Sequence, residues 1–365
     1  MGLSLNYVSS RWLYANILCI AAIWFALFPG VLWASEKSGQ GSKPGTNETM
    51  TNSSIATELS KLREYLRPLD FEKPGTHSKA AEGYFDYYSL NAPQHEHFFG
   101  TFNSGPYVLA THFFIPESAR GTVLLMHGFL DHVGTVSSTV QHLLAQGFAV
   151  AAYDQPGHGL SSGPRASIDD FAEYASIFED FMQLVRTHMP PPYHVVAHST
   201  GASIVVDHLL THKEDDFGRV VLVAPLVRSA FWGLSTTFTP VADAFVDYVP
   251  RVFQDNSSDE QFLEFVRQDP LQPRETSLAW FNALMDWNER IQNYPPNPRP
   301  IAIVQGNADT IVDWEYNLEF LLKKFPNARV QMIDDGRHQL LNEGPELKTQ
   351  VRQILDDVLA VQSKP

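Results

Sequence analysis

The chain has 365 residues, enough for one large α/β domain, and its apolar fraction of 44% can supply a core. A formal net charge of -15 would repel a phosphate backbone, which excludes nucleic acid as an expected partner. The single cysteine, Cys19, lies in an apolar N-terminal run. The rest of the chain therefore cannot use a disulfide, a cysteine metal ligand or a cysteine nucleophile.

Residues 1–34 have the pattern of a targeting segment. Arg11 precedes an uncharged run over residues 13–33, and Ala34 completes a small-residue cleavage site. An uncharged run of about 20 residues is also long enough to span a bilayer if it is not cut. The segment is predicted to be a signal peptide or a membrane anchor. The remainder is expected to be exported to a periplasmic or extracellular location, with the membrane as a partner of the N-terminal segment.

Residues 35–54 are polar and rich in Gly, Ser, Thr and Asn, which is typical of a flexible linker. After them, Ile55, Leu59 and Leu62 recur at helical spacing before Pro68. Two interpretations of this helix are open. It docks its apolar side on the following domain, or it lies in a membrane interface.

Residues 55–365 predict one α/β domain. Segments 97–102 and 107–115 flank an Asn-Ser-Gly turn and predict a hairpin. Beyond it, short apolar runs alternate with longer amphipathic stretches. The predicted strands are 122–126, 148–152, 193–197, 220–223, 301–304 and 330–333, and the predicted helices include 168–187, 202–211, 315–324 and 345–361. Buried strands separated by helices indicate a mostly parallel sheet covered by helices on both faces.

The alternation is interrupted over about 227–299, where no strand pattern is found. This stretch is rich in aromatic residues between Phe231 and Trp287, so it is expected to fold rather than to form a loose loop. An insertion after a strand of an open α/β sheet lies over the carboxyl ends of the strands, where ligands bind. The segment is therefore predicted to be a helical cap inserted after a central strand.

A candidate nucleophile lies at Ser199. It is the central residue of Ala197-His198-Ser199-Thr200-Gly201, between a predicted strand and a predicted helix. This is the context of a nucleophile elbow, a sharp turn that requires small neighbours. The alternative is a serine that only caps the helix.

A base and an acid follow Ser199 in the order that such a fold requires, each on a loop after a later strand. Asp309 follows the strand at 301–304, and His338 follows the strand at 330–333. Asp313 competes with Asp309 but is interpreted as the N-cap of the next helix. Asp334 and Asp335 are interpreted as loop acids.

The developing oxyanion needs two donors. The backbone N–H groups of Thr200 and Phe129 are the candidates, with Gly128 allowing a close approach; the side chain of Phe129 is irrelevant to that donor role. Neighbouring His127, His158 and His198 are interpreted as structural hydrogen-bonding residues.

No metal and no cofactor are expected. The remaining candidates for metal binding, His188, His194, His208 and His212, show no convergent acidic or histidine partners in the sequence.

Three pieces of sequence carry a resemblance to a known family. They are LLMHGFLDH at 124–132, YDQPGHGLSSGPR at 153–165, and the loops that hold Ser199, Asp309 and His338. From about Gly121 to its C-terminus the chain resembles the monoacylglycerol lipase and lysophospholipase group of the α/β-hydrolases, also called serine aminopeptidase-like hydrolases. It departs from that group at Ala197, where a glycine is usual, and at Thr200.

The resemblance implies an α/β-hydrolase fold with Ser199, Asp309 and His338 as the triad and with Phe129 and Thr200 as the oxyanion donors. It also implies a serine hydrolase that cleaves the carboxylic ester of a lipid-like substrate, a monoacylglycerol or a lysophospholipid, through an acyl-enzyme. Two other classes stay open. One is a non-catalytic binding protein on the same fold, and the other is an acyltransferase or a peptidase.

Overall fold

The computed structural model describes residues 52–75, 77–212, 217–243 and 246–360. The predicted targeting segment and linker residues 35–51 lie outside the described residues. Within the described ranges, none of the helices has both the length and the apolar character needed to cross a membrane.

An eight-stranded sheet forms the centre of the molecule. In spatial order it runs β1-β2-β4-β3-β5-β6-β9-β10. The β1–β2 and β2–β4 pairs are antiparallel and every other pair is parallel, which confirms the predicted mostly parallel sheet. The strands are β1 Glu96–Ser104, β2 Tyr107–Ile115, β3 Thr122–Met126, β4 Ala149–Tyr153, β5 Tyr193–His198, β6 Phe217–Val223, β9 Ala302–Gly306 and β10 Arg329–Ile333.

Helices cover both faces of this sheet. One face packs against α1 Asn52–Tyr65, α2 Lys79–Tyr88, α3 Ser137–Ala145 and α10 Pro345–Ala360. The other packs against α4 Phe171–His188, α5 Thr200–Thr211, α8 Leu278–Gln292 and α9 Trp314–Lys324. Central strands β3, β4, β5 and β9 are buried along their whole length. Burial on both faces explains why these strands appear in the sequence as continuous apolar runs.

The N-terminal helix α1 is docked on the domain. Ile55, Leu59 and Leu62 are almost fully buried in the core on that side of the sheet. Near the end of the helix, Arg63 Nη2 donates to the carbonyl of Gly159 at 2.5 Å. Its apolar side is therefore covered by the domain, as the docked interpretation predicts.

Helix α4 begins three positions later than the sequence pattern suggested. Asp170 caps it, because its carboxylate accepts from Ala172 N and Glu173 reaches back to the backbone of Asp170. This capping box satisfies N–H groups that the first turn leaves without partners, so the helix begins at Phe171.

The insertion between β6 and β9 is called the cap below. It contains α6 Trp232–Asp243, α7 Glu260–Gln268 and α8. It also contains two short antiparallel strands, β7 Tyr248–Pro250 and β8 Glu275–Ser277. These two strands were not predicted from the sequence. Each has three residues, too few to show an alternating pattern, and β7 includes a proline.

Candidate active site

Ser199 lies on a strained turn between β5 and α5. Its φ of 52° and ψ of -114° fall outside the regions that a residue with a Cβ normally adopts. Gly201 is required beside it, because a Cβ there would lie 2.7 Å from the carbonyl oxygens of Met126 and His127. Ala197 is fully buried in β5, so the elbow forms with alanine at the position where glycine is usual.

The structure brings the three predicted triad residues together. His338 Nε2 lies 3.0 Å from Ser199 Oγ, and His338 Nδ1 lies 2.8 Å from Asp309 Oδ2. All three residues are buried. With the Nδ1 proton donated to Asp309, Nε2 is left to accept the proton of the serine hydroxyl. This is the arrangement of a nucleophile, a general base and an orienting acid.

Asp309 is held as a carboxylate. Its Oδ1 accepts from Ile311 N at 2.8 Å and from Val312 N at 3.2 Å, and its Oδ2 also accepts from Gln305 Nε2 at 3.2 Å. Burial alone would raise the pKa of Asp309, but the charge and hydrogen bond of His338, together with the two backbone N–H groups, bring it below its usual value.

The neighbouring acids Asp313 and Asp334 make hydrogen bonds to other partners. Asp313 caps α9 by accepting from Tyr316 N at 3.3 Å, as expected for an N-cap. Asp334 Oδ1 accepts from Asn307 Nδ2 at 2.9 Å on the surface. Asp309 is thus the carboxylate that the structure brings to His338.

The loop after β3 lies directly against Ser199. A Cβ on Gly128 would be 3.0 Å from Ser199 Cβ and 2.8 Å from His198 Nδ1, so only glycine allows this approach. Phe129 and Thr200 line the same pocket as Ser199 and His338. The two predicted oxyanion donors therefore line the same pocket as the Ser199 hydroxyl, and their role as donors stays a prediction.

The neighbouring histidines hold loops in place. His127 Nδ1 donates to Gly128 O at 2.8 Å, while its Nε2 accepts from Gln155 N at 2.9 Å. Burial lowers the pKa of His127, so it stays neutral in this role. His158 bonds to Pro156 O at 2.8 Å, and His198 Nε2 bonds to the carbonyl of His338 at 3.0 Å.

Sequence reasoning missed Asp131. Its Oδ2 accepts from Gln339 Nε2 at 3.0 Å and lies 3.7 Å from His198 Nδ1. The contact connects the loop after β3 to the loop that carries His338. The sequence did contain a signal for this residue, since Asp131 is an acid that follows an apolar strand inside the segment LLMHGFLDH.

A second missed group joins the cap to the rest of the domain. Asp269 follows α7 and accepts from Tyr88 Oη at 2.5 Å, while its other oxygen lies 2.8 Å from His132 Nε2. All three side chains are buried. We call this group the cap latch, since it links the cap, α2 and the loop after β3.

Apolar side chains line the pocket above Ser199. The aromatic ones are Phe129, Phe253, Phe262, Trp280 and Phe281, and the aliphatic ones are Leu130, Leu226, Val252, Leu263, Val266, Ile311 and Val312. The ring of Phe129 stacks on Trp280 with centroids 3.7 Å apart. The ring of Phe129 therefore connects the loop after β3 to the cap, a contact separate from the donor role predicted for its backbone N–H group.

The sheet, the strained serine with its histidine and aspartate, and the cap define an α/β hydrolase of the lipase and esterase type. The chain belongs to the Hydrolase_4 family, described as serine aminopeptidase, S33, which matches residues 117–345.

Curated relatives agree with this class, and a solved structure agrees with the fold. A monoacylglycerol lipase of Mycolicibacterium smegmatis is 28% identical over 260 residues, which cover 66% of this chain and 86% of that protein. A probable lysophospholipase L2 of Haemophilus influenzae is 25% identical over 286 residues, covering 69% and 88%. The structure of a soluble variant of monoglyceride lipase from Saccharomyces cerevisiae, in complex with a substrate analog, has a TM-score of 0.62 at 18% identity and covers 73% of this chain and 95% of its own.

Proposed function

We propose that this protein is a serine hydrolase that cleaves the carboxylic ester of a lipid-like substrate, a monoacylglycerol or a lysophospholipid, through an acyl-enzyme. The observation that carries the proposal is the hydrogen-bonded series Ser199, His338 and Asp309, whose serine and histidine line a pocket together with aromatic and aliphatic side chains. A reactive hydroxyl and an apolar pocket together suit an ester with an acyl chain.

The chemistry proceeds in two halves. Ser199 Oγ attacks the ester carbonyl while His338 Nε2 takes its proton, and the backbone N–H groups of Phe129 and Thr200 donate to the oxyanion. His338 then protonates the departing alcohol, which leaves the acyl group on Ser199. In the second half His338 activates a water molecule, and hydrolysis of the acyl-enzyme releases the fatty acid and restores the serine.

Names of relatives support the lipid substrate. The relatives from Mycolicibacterium smegmatis and Haemophilus influenzae are called monoacylglycerol lipase and probable lysophospholipase. Both substrate types present one acyl ester and one polar head group. In the proposed complex the acyl chain contacts the apolar cap residues, and the polar head group lies near Ser199.

The proposal extends to location. Arg11 and the uncharged run over 13–33 support export of the domain, with the N-terminal segment serving as a signal peptide or as a membrane anchor. A substrate that partitions into membranes would then be met at the membrane surface.

A homologous series of esters tests the substrate class. Since each buried methylene contributes about 0.8 kcal/mol, kcat/KM should rise from short to medium acyl chains by up to about fourfold per CH₂. Phe262→Ala should flatten this rise, because Phe262 lines the pocket. Phe231→Ala should not, because that cap aromatic is 49% exposed and lies outside this lining.

Parallel assays with monoacylglycerols, lysophospholipids and amino-acid amides would identify the head group. A profile that falls from acetate onward, or a preference for the amides, would contradict a lipid ester and favour a generic esterase or a peptidase. Transfer of the acyl group to an alcohol acceptor instead of water, detected in the products, would indicate an acyltransferase.

A further inference from the structure

A cluster of three side chains that could bind a metal ion lies between helices α4 and α5, away from the triad. Glu179 belongs to α4, and His208 and His212 lie one turn apart on α5. One ligand atom from each side chain lies within 4.8 Å of the other two. A Glu179 carboxylate oxygen contacts His208 Nδ1 and is 3.8 Å from His212 Nε2.

The orientation of His212 suits a metal ligand. Its Nδ1 donates to the carbonyl of His208 at 3.1 Å. This bond puts the ring proton on Nδ1 and leaves the lone pair of Nε2 directed towards Glu179. A backbone carbonyl in this position is the usual partner that fixes the tautomer of a metal-binding histidine.

The cluster is buried on one side and open on the other. The side chain of His208 is 4% exposed, whereas those of Glu179 and His212 are 38% and 46% exposed. The two imidazole rings stack, with centroids 4.4 Å apart, so both point to the same side of α5. A hydrated ion can therefore reach the cluster from solvent, and a coordination position remains for water.

We propose that Glu179, His208 and His212 form a binding site for a divalent transition metal ion of the zinc class. Two imidazoles and one carboxylate are a donor set that Zn²⁺ takes in proteins, with water as a fourth ligand. On binding, the ion replaces the proton between His208 and Glu179, and that proton goes to solvent. No electron transfer accompanies this exchange.

The role of the ion is structural. His208 lies roughly 12 Å along α5 from Thr200, at a rise of about 1.5 Å per residue, so the ion does not touch the reacting atoms. It joins α4 to α5, and α5 begins directly after the nucleophile. The sequence shows no such cluster, because Glu179 lies on a different helix, and only the packing of α4 on α5 brings the three residues together.

Metal binding to the full-length chain, purified without a histidine tag and treated with chelator, tests this proposal. Titration with Zn²⁺ by calorimetry should show one saturable site per chain, and Zn²⁺ should raise Tm. Glu179→Gln and His212→Ala should each weaken binding by about 100-fold or more, beyond the effect of changing an outer-shell partner. Both positions are partly exposed, so the variants are expected to fold.

His188→Ala is the matched control. His188 is an exposed histidine at the end of α4 that stacks on Phe71, and its replacement should leave Zn²⁺ affinity unchanged. Absence of saturable Zn²⁺ binding to the wild type would overturn the proposal, and the cluster would then be an ordinary acid–histidine contact. Equal Zn²⁺ affinity in wild type, Glu179→Gln and His212→Ala would overturn it as well, because the bound ion would lie elsewhere.

Discussion

In the proposed function, the reactivity of Ser199 depends on its neighbours. The hydroxyl is a weak nucleophile by itself, and His338 Nε2, 3.0 Å away, is the group that can remove its proton. The φ of 52° at Ser199 exposes Oγ to the pocket instead of turning it into the helix. Both features concern one residue and its direct contacts, so single substitutions test them.

Ser199→Ala should reduce turnover by a factor on the order of 10⁶, because the acyl-enzyme can no longer form. A fluorophosphonate probe should label the wild type and leave this variant unlabelled, as read by intact mass. Ser235→Ala is the control, since Ser235 lines the same pocket without contacting the triad, and it should label normally. Labelling that persists in Ser199→Ala would show that another residue is the nucleophile.

Asp309 and Asp313 should respond differently to the same substitution. Asp309→Asn removes the carboxylate that fixes the tautomer of His338, and kcat should fall by about 10³–10⁴. Asp313→Asn alters a helix cap, so it should cost about 1 kcal/mol of stability or less and leave kcat near that of the wild type. Steady-state kinetics and thermal unfolding of both variants separate the effects, and reversed kinetic penalties would make Asp313 the orienting acid.

At the scale of elements, buried contacts join the cap to the sheet domain, and the cap latch is one of them. Asp269 supplies the cap side of the latch, and Tyr88 and His132 supply the domain side. Burial would raise the pKa of Asp269, but the charge and hydrogen bond of His132 and the hydroxyl of Tyr88 bring it below its usual value. A carboxyl group with a depressed pKa stabilises the folded state above its unfolded pKa, and that stabilisation is lost as the pH falls through the folded pKa.

Asp269→Asn should therefore lower the free energy of unfolding by about 1–3 kcal/mol at neutral pH, because hydrogen bonds to a buried charge are lost. The difference from wild type should shrink as the pH falls below about 4, where the carboxyl begins to take up its proton in the unfolded chain. Urea unfolding at a series of pH values measures the loss in free energy of unfolding and its dependence on pH. Asp255→Asn, which removes an exposed ion pair with Arg267, is the control and should change stability by less than about 1 kcal/mol. A pH-independent deficit in Asp269→Asn would argue against an ionised latch.

Strands whose burial is continuous were readily predicted from the sequence. Strands β3, β4 and β5 are buried throughout and give unbroken apolar runs, and α9 has its cap at Asp313. The contact between Ser199, His338 and Asp309 was also predictable, because each of these residues follows a strand. The latch was not, since Asp269 and His132 are 137 positions apart and meet only through the fold of the cap. The stacking of Phe129 on Trp280 was missed for the same reason.

At the scale of the whole molecule, the arrangement of the N-terminal segment relative to a membrane can be measured directly. Export predicts that alkaline phosphatase fused after Ser54 is active in a bacterial host, whereas a reporter that works only in the cytoplasm is silent at the same position. The positive flank at Arg11 is the reason for this orientation. The opposite reporter pattern would refute export, and the mass of the mature chain would distinguish cleavage after Ala34 from an intact anchor.

The strained turn at Ser199 also affects how this protein responds to engineering. A non-glycine residue in a sparsely populated conformation costs about 1–3 kcal/mol, and glycine at the same position would relieve most of it. Directed evolution for heat resistance alone would therefore favour Ser199→Gly, which raises the melting temperature and removes the nucleophile. A library sorted by thermal tolerance would be enriched in inactive members, so each round of selection must also score turnover.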